Sequence, residues 1–474
     1  MSTLGVQNSI AVRSARTETY GRERDAGIGG ATLWLAVLIT SYFYALPLGR
    51  FSFVGVATDF RIYDFVFIAF IFFVGLRYGK RVKELYKDHK DFHYWTVVLL
   101  IVVWFSLIIT FLVGKHDTTI FAAALRAFRF TAYLLVSSFI VAIANTPRRQ
   151  QFLLRVLYLN IFIQAALAFA QGLGRLPNFW PTYWLIGYGD YPVGTLSPHH
   201  LQIAVVMMLG IGLALSFSRM STNLIGKGIH VSLAALMVAV ILFSGTRTVW
   251  FSLPVIALAY LLIHRVRGLF VIVFFAGCVA VTLWLGRNYI HDPAQLQVET
   301  RLTNPLELRG VRGIFYDRLA IYDNDFVQRI AAHPWVLIVG SGFQNVSYFL
   351  GATGAHNNYL QAWFELGLIG LLIYLRFLKA ISDSLLGIAS KGRASAEQKF
   401  SRDIWAVYIG VLATMLAGET LWAQYSMFTL TGQIMTLIAL ATCSRNWMFR
   451  EEVDLKGNPT DGERAYRGAR DPLS

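Results

Sequence analysis

A histidine, two asparagines and a carboxylate stand out in the stretch His356-Asn357-Asn358-Tyr359-Leu360, followed by Glu365-Leu366-Gly367-Leu368-Ile369-Gly370. A neutral imidazole, with a reference pKa of about 6.5, can take a proton from an incoming hydroxyl at ambient pH. Glu365 follows nine residues after His356 inside an apolar run. On a helix that offset places the carboxylate roughly 13 Å deeper than the imidazole. A carboxylate at such depth marks a pathway, a partner or a site. His356 in isolation reads as a hydrogen-bonded residue at a span end; the arginines elsewhere in the chain turn the reading toward chemistry.

Arg126 and Arg129 are three apart in one apolar run, hence on one helical face, and Arg126 is about two turns inside it. Two guanidinium groups there need an anion. Glu365, Asp64 and Glu419 are internal candidates, and a phosphorylated lipid is an external one; an ion pair with Glu365 and ligand binding both remain open. Arg247 closes Ser244-Gly245-Thr246-Arg247 between two short apolar runs. It is either a snorkelling arginine at an interface or a functional group. The polar, glycine-bearing break favours the second, because backbone freed inside a membrane is tolerated only where protein or a watery cavity receives it.

The stretch 287–355 carries Arg287, Arg301, Arg309, Arg312, Arg318 and Arg329 and no lysine. The arginine fork suits phosphate oxygens, whereas lysine acts as a point charge. A general base beside several arginines is what transfer from a phosphorylated donor requires. His199-His200 begins an apolar run after Gly194-Thr195-Leu196-Ser197-Pro198. Tandem histidines on a helix face apart, which argues against a two-histidine metal site, so His199 reads as a polar span cap. His116, His264 and His291 read the same way. Arginine rather than a metal is expected to stabilise the leaving group, and no cofactor is predicted.

The elements that must hold these groups are transmembrane. The chain has 474 residues, 56% hydrophobic and 15% charged, with a mean hydropathy of +0.52; a soluble domain is excluded. Apolar runs predict an all-α, polytopic integral membrane protein with about twelve transmembrane helices, at 31–48, 62–78, 95–113, 119–143, 152–171, 200–218, 229–243, 248–264, 269–286, 356–378, 403–421 and 425–443. The run 229–264 is either two short spans or one broken element. Basic residues cluster in alternate loops: Lys80 to Lys90, Arg148 and Arg149, Arg219 and Lys227, Arg265 and Arg267, and Lys391 to Arg402. The positive-inside rule makes those loops and both termini cytoplasmic, with the large loop 287–355 facing outward. The net charge of +15 therefore reports orientation, and no nucleic-acid partner is expected.

Residues 1–30 form a basic cytoplasmic tail with no apolar signal core, 31–443 the transmembrane domain, and 444–474 a polar cytoplasmic tail. Cys278 and Cys443 lie in or beside apolar runs, which argues against a disulfide framework. Within the large loop, 316–332 has helical spacing and stops at His333-Pro334-Trp335, as an amphipathic helix on the membrane face would. Gly340-Ser341-Gly342 lacks the third glycine and the strand–turn–helix setting of a dinucleotide loop.

His-Asn-x-x-Leu followed by Glu-x-Gly-x-x-Gly resembles the O-antigen ligase and O-antigen polymerase family of bacterial membrane glycosyltransferases. The resemblance covers most of the chain and is strongest from about 190 to 380. Three further family features have counterparts here. Gly194-Thr195-Leu196-Ser197-Pro198-His199 is similar to its Gly-Thr-x-x-Pro-Asn segment. Ser244-Gly245-Thr246-Arg247 is similar to its Ser-x-Ser-Arg turn. Arg318 is similar to the arginine of a periplasmic-loop helix. His199 in place of Asn, and Thr246 in place of Ser, are departures.

The resemblance implies a site on the periplasmic face of the bacterial inner membrane, where activated sugars arrive only as polyprenyl-pyrophosphate-linked glycans. By that similarity Arg247 and Arg318 bind pyrophosphate and His356 activates the acceptor; Arg126 and Arg129 are further pyrophosphate candidates, and Asn357, Glu365 and His199 are supporting residues. The expected reaction is inverting transfer from an undecaprenyl-pyrophosphate-linked glycan to an acceptor glycan. Polymerisation of O-antigen, capsule or exopolysaccharide units is favoured, with ligation to lipid A–core as the alternative. A chain-length regulator and a flippase are the protein partners implied. A twelve-span transporter or lipid-glycan flippase is the rival class; it predicts internal repeats, and none is evident.

Overall fold

A computed structural model describes residues 28–45, 47–53, 56–113, 117–180, 192–264, 330–346, 357–390, 396–416, 420–422 and 429–443, with a few isolated positions besides, among them Gly418. The chain runs through α1 (Gly30–Ser41), β1 (Pro47–Phe53), β2 (Val56–Arg61), α2 (Ile62–Leu85), α3 (Phe92–Val113), α4 (Asp117–Ile143), α5 (Pro147–Gly172), α6 (His200–Met220), α7 (Leu224–Phe243) and α8 (Arg247–His264). It continues in the short α9 (Val336–Val339), the long α10 (Asn358–Ser390), α11 (Ala396–Thr414) and α12 (Leu430–Thr442).

Six of these helices are long and apolar enough to cross a membrane, α2 to α7, with α4 counted from Ile120. Shorter apolar helices include α1 and α12. The protein is a helical membrane protein.

α6 and α12 are apolar on every side because they are surrounded. Leu201 to Ala214 are buried without interruption, and so is every residue of α12. A helix hydrophobic all round belongs in a core, and its neighbours show the complementary pattern. α3 turns Leu99 and Val103 inward and leaves Ile101, Phe105, Phe111 and Leu112 exposed, as a lipid-facing helix does.

The expectation of an all-α chain is corrected at one place. The predicted span 31–48 stops at Ser41, and β1 and β2 pair as an antiparallel hairpin before α2. Pro47 has no N–H to extend a helix and fits the first position of a strand. The Ala45 N–H donates instead to the Thr195 carbonyl at 3.2 Å. The run 229–264 resolves into two helices, with α7 packed on α5 and α6, and α8 packed on α11. Within α2, Ile71–Gly75 forms a π-helical turn, so the helix is not regular throughout.

At the end of the bundle where α6 and α8 finish, His264 does more than cap a span. Asp403 of α11, 1% exposed, accepts from Ser216 Oγ at 2.8 Å, lies 2.9 Å from His264 Nε2 and pairs with Arg219. One carboxylate thereby staples three helices. Of the predicted loop helix 316–332, residues 330–332 are helical and His333 ends them; its earlier part lies almost wholly outside the described residues.

Candidate functional site

The start of α10 is fixed by its asparagines. Asn357 Oδ1 accepts the N–H groups of Tyr359 and Leu360 at 2.9 and 3.1 Å, the N-cap geometry that satisfies free amides at a helix start. Its Nδ2 donates to the Leu416 carbonyl at 2.9 Å. Asn358 donates its N–H to the Met415 carbonyl at 3.0 Å and accepts the Thr420 N–H at 3.1 Å. His356, the residue immediately before this anchored pair, lies outside the described residues.

The other motifs meet the same segment. Gly245 turns the chain at φ 65°, and Thr246 Oγ1 donates to the His200 carbonyl at 3.3 Å. That contact sets the start of α8, whose first residue is Arg247, against the start of α6. His199 caps α6, its Nδ1 accepting the Leu201 N–H at 3.1 Å, and its ring stacks on His200. Gly418 lies where a Cβ would meet the side chains of Leu201 and Thr248. Met415, Leu416, Gly418 and Thr420 are thus a hub touched by the starts of α6, α8 and α10. The sequence marked Asn358 only as part of the His356 stretch and Glu419 only as a candidate anion, although the polar Gly418-Glu419-Thr420 interrupts an apolar run much as Ser244-Gly245-Thr246 does.

Glu365 lies beyond the hub, 0% exposed. Trp422 Nε1 donates to it at 2.8 Å, Gln361 Nε2 donates to its other oxygen, and the Gln344 backbone N–H faces it. Phe130, Phe343 and Tyr374 pack around Trp422, with ring centroids 5.1–5.7 Å away, and complete an aromatic wall. Arg126 reaches this centre through an intermediary, its Nη1 donating to Gln344 Oε1 at 2.7 Å.

Arg129 takes a different partner. Its Nε and Nη2 grip Asp64 Oδ1 and Oδ2 at 2.9 and 2.7 Å, a bidentate pair with both side chains largely buried. Asp64 Oδ2 also accepts the Arg61 N–H at 3.1 Å and so closes the start of α2. The two arginines that share a face therefore address separate groups. Of the three internal anions expected for them, Asp64 holds Arg129, Glu365 lies near Arg126, and Glu419 is outside the described residues.

Gly367 explains why the large loop returns to this place. At φ 71° and ψ −174° it breaks α10 and releases the carbonyls of Phe364 and Glu365 from the helical ladder. Ser341 donates its N–H and Oγ to Phe364 O at 2.7 and 2.9 Å, and the Gly342 N–H donates to Glu365 O at 2.9 Å. Freed backbone inside the bundle is thereby satisfied by another segment. Gly340 must be glycine, because a Cβ would collide with the backbone of Glu365 and Gly367. Gly340-Ser341-Gly342, uninformative as a nucleotide motif, is the plug for this break.

The chain from α7 to the middle of α10, residues 232–375, matches the protein family described as O-antigen ligase. That match covers 144 of the 474 residues and supports an assignment to the O-antigen ligase/polymerase family. The chain matches no curated protein.

The family so described suggests a membrane glycosyltransferase-type enzyme and implies a lipid-linked glycan as substrate. The matched segment contains Arg247, Arg318, Gln344, His356, Asn357 and Glu365; Arg126, Arg129, His199 and the hub lie outside it. Arg318, like His356, is outside the described residues. So is Asp323-Asn324-Asp325, an acidic Asp-x-Asp triplet in the same loop.

Proposed function

We propose that the protein transfers a glycan from an undecaprenyl-pyrophosphate carrier to an acceptor hydroxyl on the periplasmic side of the inner membrane. The observation that carries this reading is the gathering of the α6, α8 and α10 starts around Met415, Leu416, Gly418 and Thr420, which brings the His199, Arg247 and Asn357 positions to one end of the bundle. His356, adjacent to Asn357, takes the hydroxyl proton as the acceptor oxygen attacks the anomeric carbon. The bond from that carbon to the pyrophosphate breaks with inversion, and its electron pair leaves on the pyrophosphate, held by Arg247 and Arg318 without a metal. Arg129 is committed to Asp64, so it serves the fold rather than the donor.

Polymerisation of repeat units, with a flippase supplying donor and a chain-length regulator limiting product, is the favoured outcome. The description of the matched family supports ligation to lipid A–core as a second reading. Deleting the gene and complementing it tests both. Single-repeat lipid A–core identifies a lost O-antigen polymerase, absent O-chain a lost ligase, and missing soluble polysaccharide an exopolysaccharide polymerase. Arg247→Ala and Arg318→Ala are expected not to complement, and Lys at either position to restore product poorly because the bidentate phosphate contact is gone. Full product from either Ala variant at normal protein level removes that residue from the pyrophosphate site. Unaltered glycans in the deletion strain, or purified protein that moves lipid-linked glycan across a bilayer without joining it, favour the transporter class. Loss of transfer in a chelator removes metal independence.

This reading carries the twelve-span topology with both termini cytoplasmic. Reporter fusions at Glu307 and Arg393 should report opposite sides of the membrane. The same side for both would overturn the span count.

A further inference from the structure

Among the described residues, Gln344 is the one non-glycine residue with positive φ, at 61°. A side chain in the left-handed region persists only where its surroundings over-determine it. Here the surroundings are specific. The strained backbone turns the Gln344 N–H toward Glu365 while its Oε1 accepts from Arg126 at 2.7 Å. On one side of it, Phe343 donates its N–H to Ser106 Oγ at 3.2 Å and accepts Thr110 Oγ1 at 3.1 Å, both from α3. On the other side, Asn345 folds back, its Nδ2 donating to the Ser341 carbonyl at 2.9 Å. Residues 340–346 are therefore pinned to α3, α4 and the break in α10 at once. Gln344 is where the α4 arginine and the α10 carboxylate meet.

We infer that the Arg126–Gln344 bond is a positioning latch for the transfer centre, so that Arg126 acts through Gln344 and not on the donor pyrophosphate. This rests on the transfer reading above. The latch fixes the end of the segment that leads from the loop toward Asn357, where α10 begins. Loosening a group that orients reacting parts by about 1 Å lowers turnover by up to ~10²-fold while leaving binding determinants elsewhere intact.

The test uses the full-length protein with an undecaprenyl-pyrophosphate-linked glycan as donor. Gln344→Gly removes the amide and relieves the left-handed backbone, so the fold is spared; Arg126→Met removes the other partner. Each is expected to lower kcat by about 10- to 100-fold, with donor KM within about threefold of wild type. Because both remove one interaction, the double variant should be no worse than the poorer single.

A second readout does not need catalysis. Val346 is 3% exposed, and V346C, in a chain with Cys278 and Cys443 changed to Ala, reports opening of the segment to a membrane-impermeant maleimide. Labelling should accelerate about tenfold or more when Gln344→Gly or Arg126→Met is added. Wild-type kcat together with unchanged labelling in Gln344→Gly overturns the latch. A raised donor KM at unchanged kcat in Arg126→Met also overturns it and makes Arg126 a donor ligand. If the wild-type protein transfers no glycan, the transfer reading fails, and the labelling rates alone decide the latch: equal rates refute it.

Discussion

His356→Ala is expected to insert into the membrane and bind lipid-linked donor normally, yet lose transfer by ~10²–10⁴-fold, the usual effect of removing a positioned general base. His356→Gln should fail equally, since an amide accepts a hydrogen bond but takes up no proton near neutral pH. Wild-type activity should decline as pH falls through the imidazole pKa, because the protonated ring cannot accept the hydroxyl proton. The competing role, a polar cap on α10, is already filled. Asn357 Oδ1 covers the N–H groups of Tyr359 and Leu360, the amides a cap would satisfy. Product per unit of inserted protein for wild type, Ala and Gln decides the matter. Near-normal product from Gln, with a lowered protein yield for Ala, would reduce His356 to a structural residue.

Hydropathy made the helical membrane class legible because a span must be apolar along its whole length, whatever packs against it. It failed at 31–48, where Tyr42-Phe43-Tyr44-Ala45-Leu46 is as apolar as a helix but the chain leaves α1 and docks on Thr195 instead. That Glu365 lies inside an apolar run was readable from the sequence, and the fold buries it. Its partners were not, because Trp422 and Gln344 come from distant segments and only the fold brings them together. Asp64 was named as one possible anion for the α4 arginines. What sequence lacked was the assignment of Arg129 to Asp64 and of Arg126 to Gln344, which depends on how α2 and the loop end pack on α4. Gly367 carried a visible signal, a glycine two residues after a buried carboxylate. Its meaning as a break became clear only with Ser341 and Gly342 supplying the missing donors.

The Arg129–Asp64 pair is expected to give the largest stability effect in the protein. Arg129→Ala leaves Asp64 buried beside α4 without its counter-charge, and stranding one member of a buried pair typically destabilises by about 3–5 kcal/mol. The thermal midpoint in detergent and the yield of inserted protein should both fall. Asp64→Ala should be as damaging, because it strands the guanidinium and also removes the acceptor for the Arg61 N–H at the start of α2. The double change Asp64→Asn with Arg129→Gln removes both charges, keeps an amide oxygen for the Arg61 N–H, and lets the two side chains bond to each other. Much of the lost stability should return, since a buried pair contributes little once neither charge has to be desolvated. Donor KM in that double variant separates the structural role from ligand binding. If Arg129 serves only Asp64, the recovered protein binds donor like the wild type. A stable double variant with sharply raised KM would instead show that the arginine also contacts pyrophosphate, and an Arg129→Ala protein as stable as wild type would show that the pair does not hold the bundle together.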